Sequence, residues 1–217
     1  GMKANLEAEG ITSVKVVHNG VPKRLQRPVL QEPPTVVFAG RLVWEKGVDI
    51  LLKAFALVKE HVAEAELIIA GQGVETENLK LLAEKLGIAK SVKWLGHIPR
   101  LELEQHFNVA WVQVVPSLWA EPFGNVTTEA MMRGTAVIAS ATGAQPEIVN
   151  SKETGFLVPP GDIAALTNAL LKLLSNRELA EEMGQSGRKR AIEEFSEERR
   201  TQNFLDIYQE IISKNRV

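Results

Sequence analysis

Residues 111–140 have the sequence WVQVVPSLWAEPFGNVTTEAMMRGTAVIAS. This stretch contains a mostly apolar run at 111–116, a turn-rich loop, a helical pattern from about Asn125, and a second apolar run at 135–140. Runs of this kind without polar alternation are typical of parallel strands that are covered on both faces. The order strand, helix, strand therefore predicts a right-handed crossover unit of an α/β protein.

The same alternation extends in both directions along the chain. Further short apolar runs predict strands at 13–17, 35–40, 66–71, 91–96 and 155–159. Helical spacing of apolar residues predicts helices within 48–58, 79–86 and 163–174, and a capping-box pattern at Ser175 and Glu178 predicts another helix after it. A last helix is predicted over 197–213, with its apolar side formed by Phe204, Leu205, Tyr208, Ile211 and Ile212.

These elements predict an α/β fold with a Rossmann-like, doubly wound parallel sheet. Residues 35–217 would form the main domain. Residues 1–34 would be a leading fragment and linker that is continuous with the sheet in part. The linker interpretation rests on 18–34, which is rich in proline and basic residues.

Composition excludes several classes of function. The chain has 217 residues and a net charge of −2 from 25 basic and 27 acidic residues, so a broad nucleic-acid surface is not expected. Cysteine is absent, which excludes disulfides and thiolate chemistry and fits a cytoplasmic protein. No apolar run has the length of a membrane span, and the N-terminus shows no signal peptide.

Ligands of open parallel sheets bind outside the carboxyl ends of the strands. Arg41 and Lys46 follow the 35–40 strand. They are either ordinary surface cations or two cations aimed at one diphosphate, to which arginine offers a planar fork and lysine a point charge.

The loop 116–129 offers a complementary set of groups. A helix that begins near Asn125, after Gly124, presents free N–H groups to an anion. Thr127 and Thr128 could add hydroxyl donors. Glu121 and Glu129 could accept hydrogen bonds from sugar hydroxyls, although a solvated loop charge and a first-turn helical glutamate are the simpler interpretations of each alone.

Three further patterns, those of the glycines at 71–73, the aspartates and the histidines, are weaker evidence for a functional site. Gly71 and Gly73 follow a strand, as in a dinucleotide fingerprint, but the third glycine position holds Thr76, so a tight turn is favoured. The chain has three dispersed aspartates, and a metal-independent site is expected. Of the four histidines, only His97 is predicted to lie near the site.

Seven blocks together resemble a known family. They are HNGV (18–21), GRLVWEKG (40–47), LIIAGQG (67–73), WLGHIP (94–99), PSLWAEPFGNVTTEA (116–130), TGAQPEIV (142–149) and GFLVPPGD (155–162). In this order they resemble the carboxyl-terminal, donor-binding half of a GT-B fold retaining glycosyltransferase of family 4 (glycosyl transferases group 1).

The resemblance implies roles for individual residues. Arg41 and Lys46 would bind the donor diphosphate, and Glu121 and Glu129 would match the E-x7-E motif, with Glu121 on the sugar and Glu129 on the ribose. Arg41, Lys46 and Glu121 would form the catalytic set. The wider donor site would comprise Gly40, Gly71, His97, Ile98, Phe123, Gly124, Asn125, Val126 and Thr127, with main-chain groups at 97–98 holding the base. Where the family often has Gly-Gly-x-Pro-Glu, this chain has Ala144 in place of the second glycine.

The implied function is transfer of a sugar from a nucleotide-diphosphate sugar to an acceptor hydroxyl, in polysaccharide or glycoconjugate synthesis. UDP-glucose or a related UDP-hexose is the expected donor, with GDP-mannose and ADP-glucose left open. The family's acceptor-binding half is not in this sequence, so the chain is expected to bind donor without transferring it, and membrane contact would come only through that half. The alternatives are a nucleotide-sugar epimerase on the same scaffold and a non-catalytic nucleotide-binding domain.

Overall fold

A six-stranded parallel sheet forms the centre of the computed structural model, which describes residues 6–12 and 14–214. The strands are β1 (Thr35–Ala39), β2 (Glu66–Ala70), β3 (Val92–Gly96), β4 (Val112–Val115), β5 (Ala136–Ser140) and β6 (Gly155–Val158). Their order is β3-β2-β1-β4-β5-β6, and every neighbouring pair is parallel. The predicted doubly wound sheet is confirmed.

Among the described residues, helices cover both faces of the sheet; five of them lie between successive strands, and three follow β6. They are α1 (Val48–Lys59), α2 (Thr76–Lys85), α3 (Arg100–Phe107), α4 (Asn125–Arg133), α5 (Gln145–Ile148), α6 (Ile163–Leu174), α7 (Arg177–Glu194) and α8 (Glu197–Lys214). Two short 3-10 helices lie at Trp44–Lys46 and Ala89–Ser91.

Alternate residues of each strand pack into different halves of the core. Val36 and Phe38 of β1 join the apolar sides of α1, α2 and α6, whereas Val37 lies in a separate cluster with Phe107 of α3. Val137 of β5 packs on the opposite side from Ile138, against α4. The central strands β1, β4 and β5 are therefore buried on both faces, which explains their nearly continuous apolar sequences, whereas the edge strand β3 exposes Lys93.

The strand predicted at 13–17 is wrong for residues 14–17, and Ser13 lies outside the described residues. Residues 14–17 are half-buried or exposed and pair with no strand, so the described leading fragment adds nothing to the sheet. Lys15 instead forms an ion pair with Glu210 of α8. Three valines in five residues are not sufficient for a strand when the segment pairs with no neighbouring strand that could complete its backbone hydrogen bonds.

The segment 18–34 packs along the main domain. The guanidinium of Arg27 contacts Glu181 of α7, with Nη2 at 3.0 Å from Oε2, and the Leu30 N–H donates to Glu181 Oε1 at 2.6 Å. The Trp111 indole N–H donates to the Gln31 carbonyl at 2.8 Å. Division of the chain at residue 34 stays a prediction.

Helix α7 begins one residue later than the capping-box pattern predicts. Asn176, not Ser175, is the N-cap, and its side-chain oxygen accepts the Leu179 N–H at 3.0 Å. Asparagine is at least as good an N-cap as serine. Ser175 ends α6 instead, where its N–H donates to the Leu171 carbonyl.

Helix α8 confirms the last predicted helix but buries none of its residues. The predicted apolar side is exposed, from 44% for Phe204 to 59% for Tyr208. This apolar face is therefore unpartnered within the described part of the chain.

Candidate functional site

Strands β1 and β4 lie next to each other at the point where the strand order reverses. Crevices outside the carboxyl ends of strands at such a switch point are the usual ligand sites of open α/β sheets. The loop after β1 carries Arg41 and Lys46, and the loop after β4 carries Glu121. The fold thus brings together two loops that are about 75 residues apart in the chain.

The two loops are in direct contact. The Leu118 N–H donates to the Glu45 carbonyl at 2.8 Å. Gly47 has a φ of +62°, and a Cβ on it would lie 2.1 Å from the Pro116 carbonyl oxygen. Only glycine allows both this left-handed backbone and this close approach.

Lys46 and Glu121 form an ion pair in this site. Lys46 Nζ lies 2.7 Å from Glu121 Oε1, and the Ser117 hydroxyl donates to the same oxygen. All three side chains are buried or half-buried. Because the pair is partly shielded from water, its geometry is more firmly fixed than that of a surface pair.

Helix α4 presents unused backbone donors beside Glu121. The N–H groups of Thr127 and Thr128 donate to the Gly124 carbonyl at 3.0 and 3.1 Å. Those of residues 123–126 donate to no acceptor among residues 6–12 and 14–214. Four free N–H groups at a helix N-terminus are suited to an anion.

The hydroxyls of Thr127 and Thr128 have internal partners in this structure, and their role as donors to a ligand stays a prediction. Both residues are fully buried. The Thr127 hydroxyl donates to Gln145 Oε1 at 2.8 Å, and the Thr128 hydroxyl to the Asn125 carbonyl at 3.0 Å. These internal hydrogen bonds stabilise the start of α4, because a buried hydroxyl requires an internal partner.

A cavity of about 440 Å³ lies at the carboxyl ends of β1, β2 and β3. Its lining includes five of the predicted donor-site residues, which are Gly40, Arg41, Gly71, His97 and Ile98. Arg41 is exposed and pairs with no acidic residue in the described ranges. The loop after β1 therefore contributes a cation to each of two neighbouring features: Arg41 lines the cavity, and Lys46 pairs with Glu121.

The glycines of the GxG pattern pack two loops together. A Cβ on Gly71 would lie 1.8 Å from the Gly40 carbonyl oxygen, and one on Gly73 would lie 2.1 Å from that of Leu42. The Leu42 N–H donates to the Gln72 carbonyl at 3.0 Å. Close approach of loops accounts for both glycines, in agreement with the tight-turn interpretation.

Glu129 lies one turn inside α4, and its Oε1 accepts a hydrogen bond from Arg100 at the start of α3. Arg24 Nη2 lies 3.7 Å from the same oxygen. Residues 96–98 line the cavity, and Arg100 begins α3 two residues later. The carboxylate is therefore tied to the segment that follows the cavity.

The prediction that His97 is the only histidine near the site is wrong. The His18 ring lies 6.3 Å from that of Phe123, whose backbone opens the donor set of α4, and 5.4 Å from that of Phe195. His18 Nε2 also lies 3.2 Å from Glu147 Oε2. The leading segment approaches the site here, which only the tertiary structure could show.

The sequence interpretation missed the residues that support these side chains. Ser117 holds Glu121, and Gln145 holds Thr127 while its own Nε2 is buried with no partner among the described residues. Arg100 forms a hydrogen bond with Glu129, and Arg24 lies close enough to the same oxygen for an ion pair only. Ser117 and Gln145 lie inside quoted motifs and Arg100 directly follows one, but no spacing in the sequence indicates their partners.

Two properties of the described ranges concern cofactors and membranes. No three histidine, cysteine, aspartate or glutamate side chains there are grouped so that they could hold a metal ion. No helix there combines the length and apolar character that a membrane span requires. Metal independence stays a prediction.

Fold and site define an α/β domain with free backbone donors, two loop cations and a cavity at the carboxyl ends of its parallel strands. Residues 23–190 match the family described as glycosyl transferases group 1, and the chain belongs to that family. Its fold is that of one Rossmann-like half of a GT-B glycosyltransferase, as predicted.

Three proteins illustrate what the chain is similar to. It is 36% identical over 165 residues to the GDP-mannose-dependent alpha-(1-6)-phosphatidylinositol monomannoside mannosyltransferase of Mycobacterium tuberculosis, covering 73% of this chain and 43% of that protein. The sucrose-phosphate synthase structure from Thermosynechococcus elongatus superposes with a TM-score of 0.85 at 30% identity, covering 99% of this chain and 57% of that one. Anabaena HepE, solved with UDP and glucose, gives 0.73 at 26% identity over 81% and 48%. The chain thus spans about half the length of these relatives.

Proposed function

We propose that this chain is the donor-binding half of a retaining glycosyltransferase, which transfers a hexose from a nucleoside diphosphate to an acceptor hydroxyl. The observation that carries the proposal is that the loops after β1 and β4, which contact each other, carry two cations, Arg41 and Lys46, and four unused N–H groups at the start of α4. Two cations and a helix N-terminus are the groups that a diphosphate requires. Family membership supports the same ligand class.

The chemistry follows from where negative charge develops. As the bond between the sugar and the phosphate breaks, charge grows on the leaving diphosphate. Arg41, Lys46 and the amides of residues 123–126 would stabilise that charge, and groups fixed before the reaction cost little reorganisation. We assign Arg41 and Lys46 to this role.

Glu121 would orient the sugar instead of attacking it. Its Oε1 already accepts hydrogen bonds from Lys46 and Ser117. A carboxylate held in this way retains lone pairs for sugar hydroxyls, because each oxygen accepts two hydrogen bonds. When a diphosphate binds, the Lys46 ammonium group would form an ion pair with the phosphate in addition to its ion pair with Glu121.

The base would occupy the cavity lined by Gly40, Gly71, His97 and Ile98. The name of the mycobacterial relative favours guanine, and the UDP in the HepE structure favours uracil. We therefore propose a GDP- or UDP-linked hexose as the donor, with UDP-glucose as the sequence-based expectation. Polysaccharide or glycoconjugate synthesis remains the proposed setting.

A thermal-shift panel of UDP, GDP and ADP tests the ligand class. A ligand that binds only the folded state stabilises it by about 2.7 kcal/mol at 100 times its Kd. We expect UDP or GDP to raise Tm more than ADP does. Absence of a Tm shift with all three nucleotides at millimolar concentration would contradict the proposed function.

Lys46→Ala and Arg41→Ala should each weaken nucleoside-diphosphate binding. Loss of one hydrogen bond to a charged group corresponds to about a 10- to 100-fold increase in Kd, which calorimetry measures. Lys53→Ala is the matched control, because Lys53 lies on α1 and pairs with Asp49 at 2.9 Å. Wild-type affinity in the Arg41→Ala, Lys46→Ala double variant would refute the diphosphate assignment.

The chain alone should bind the donor without transferring its sugar. The relatives that it matches are about twice as long, and the acceptor-binding half of the family is proposed to lie in the remainder. A turnover assay with the nucleotide sugar chosen by the panel and a defined acceptor checks this expectation. Steady product formation by this chain alone would contradict it.

A further inference from the structure

Three arginines surround two glutamates where α3, α4 and the segment 18–34 meet. Arg100 donates to Glu129 Oε1, and Arg133 Nη1 lies 3.2 Å from both carboxylate oxygens of Glu104. Arg24 lies between the glutamates, with Nε at 3.5 Å from Glu104 and Nη2 at 3.7 Å from Glu129. Of these five side chains, only that of Glu129 is a site residue predicted from the sequence, with the ribose contact that the resemblance implies.

The arginines differ in what they support. Arg133 is almost fully buried; burial lowers the pKa of its guanidinium, and the Glu104 carboxylate beside it acts in the opposite direction. It also donates to Gln113 Oε1 at 2.9 Å, so it belongs to the core. The Arg100 side chain is 53% exposed, and its one ion pair with the described residues is to Glu129, so it can be removed with little effect on folding.

The contacts of Glu129 are confined to one oxygen. Both Arg100 and Arg24 approach Oε1, and Oε2 accepts no hydrogen bond from the described part of the chain. A carboxylate pinned through one oxygen keeps its rotamer while the other oxygen remains able to accept two donors. The cis-diol of a ribose supplies two donors.

The position of Arg100 in the chain fits a nucleotide. The segment 96–98 lines the proposed base cavity, and Arg100 follows it at the start of α3. Glu129 lies one turn from the amides that would hold the diphosphate. In a nucleoside diphosphate the ribose lies between base and phosphate, so a carboxylate linked to both segments is placed for the ribose.

We propose that Arg100, assisted by Arg24, is a positioning residue that fixes Glu129 through Oε1 and leaves Oε2 for the ribose diol of the donor. This inference rests on the proposed function. It assigns ribose recognition to an ion pair between two helices and not to Glu129 alone. Its consequence is that Arg100 controls discrimination between ribose and deoxyribose without touching the nucleotide.

Calorimetry with the nucleoside diphosphate chosen by the panel and with its 2′-deoxy counterpart tests the proposal. The ratio of the two Kd values isolates ribose recognition, because the loss of a positive charge near the diphosphate affects both ligands alike. We expect the wild-type chain to prefer the ribonucleotide by about tenfold, the effect of one hydrogen bond to a charged group. Arg100→Ala and Glu129→Gln should reduce the preference to below about threefold, and Arg100→Lys should restore part of it.

Arg199→Ala, an exposed arginine on α8, is the control and should keep the wild-type ratio. An unchanged ratio in Arg100→Ala would overturn the positioning role while leaving the proposed function intact. A stronger ribose preference in Arg100→Ala would also overturn it, since Arg100 would then compete with the ribose. Failure of the wild-type chain to bind any nucleoside diphosphate would overturn the proposed function and this inference with it.

Discussion

At the scale of single residues, the site is held together by contacts between backbone and side chain that no local pattern encodes. Gly47 allows the β1 loop to touch the β4 loop, and Lys46 beside it then reaches Glu121. The left-handed conformation of Gly47 also ends the short 3-10 helix at Trp44–Lys46. One residue without a side chain therefore determines whether a cation from one loop meets an acid from another.

Gly47→Ala should destabilise the fold and weaken nucleotide binding together. Gly87 is a matched control, because its φ is +72° but no atom lies within 4 Å of an added Cβ. Gly87→Ala should cost about 1–2 kcal/mol for the left-handed backbone alone. Gly47→Ala should cost about 1–3 kcal/mol more, the usual cost of overpacking. Denaturant unfolding and calorimetry measure both effects; equal losses in the two variants would show that the loop contact is unimportant.

At the scale of elements, apolar periodicity located the helices well and their ends less well. The period of α1 and α6 places their apolar sides on the sheet. The start of α7 depended on which of two adjacent polar residues adopts the extended backbone of an N-cap. Asn176 does, with φ −141° and ψ 90°, whereas Ser175 ends the preceding helix.

Asn176→Ala should lower the free energy of unfolding by about 1 kcal/mol, because the Leu179 N–H loses its acceptor. Ser175→Ala is the matched control and should change it by less than about 0.5 kcal/mol. Chemical denaturation of the two variants under the same conditions makes the comparison. A larger loss in Ser175→Ala would support the original capping-box prediction.

At the scale of the whole molecule, segment 18–34 forms hydrogen bonds with both α4 and α7, through the Arg133 carbonyl and the Glu181 carboxylate. Partial burial raises the pKa of Glu181, but the hydrogen bonds from Arg27 and the Leu30 N–H outweigh it and hold that pKa below its usual value. The Glu181 carboxylate therefore binds a proton more readily in the unfolded chain than in the folded one. Stability from this contact is therefore fully present above the ordinary glutamate pKa of about 4.3 and is lost as the pH falls through the lower folded-state value.

Glu181→Gln should reduce the free energy of unfolding at pH 7 by about 1.5–3 kcal/mol, the contribution of hydrogen bonds to a charged group. The difference from wild type should shrink as the pH falls below about 4, because the wild-type carboxyl then loses its charge as well. Glu182→Gln, a change at the next position, is the control. A pH-independent difference would contradict the role of the Glu181 charge.

The same three scales separate what could be predicted from what could not. Local sequence features include the strand and helix pattern, the loops that follow each strand, and the residue types of the proposed diphosphate site. Arg41, Lys46, Glu121 and the start of α4 could therefore be named from the sequence. The support given by Ser117, Gln145 and Arg100 could not, since their partners are 4, 18 and 29 residues away without periodicity.

The sequence by itself determined the α/β alternation, the doubly wound sheet and the family, because apolar periodicity and motif order survive without coordinates. Only the tertiary structure decided that residues 14–17 form no strand, that the threonine hydroxyls of α4 are occupied, and that Glu129 is pinned by Arg100. The physical reason is that hydrogen-bond partners and ion pairs are assigned by distance in space. Buried polar groups take whichever partner the packed elements bring within about 3 Å.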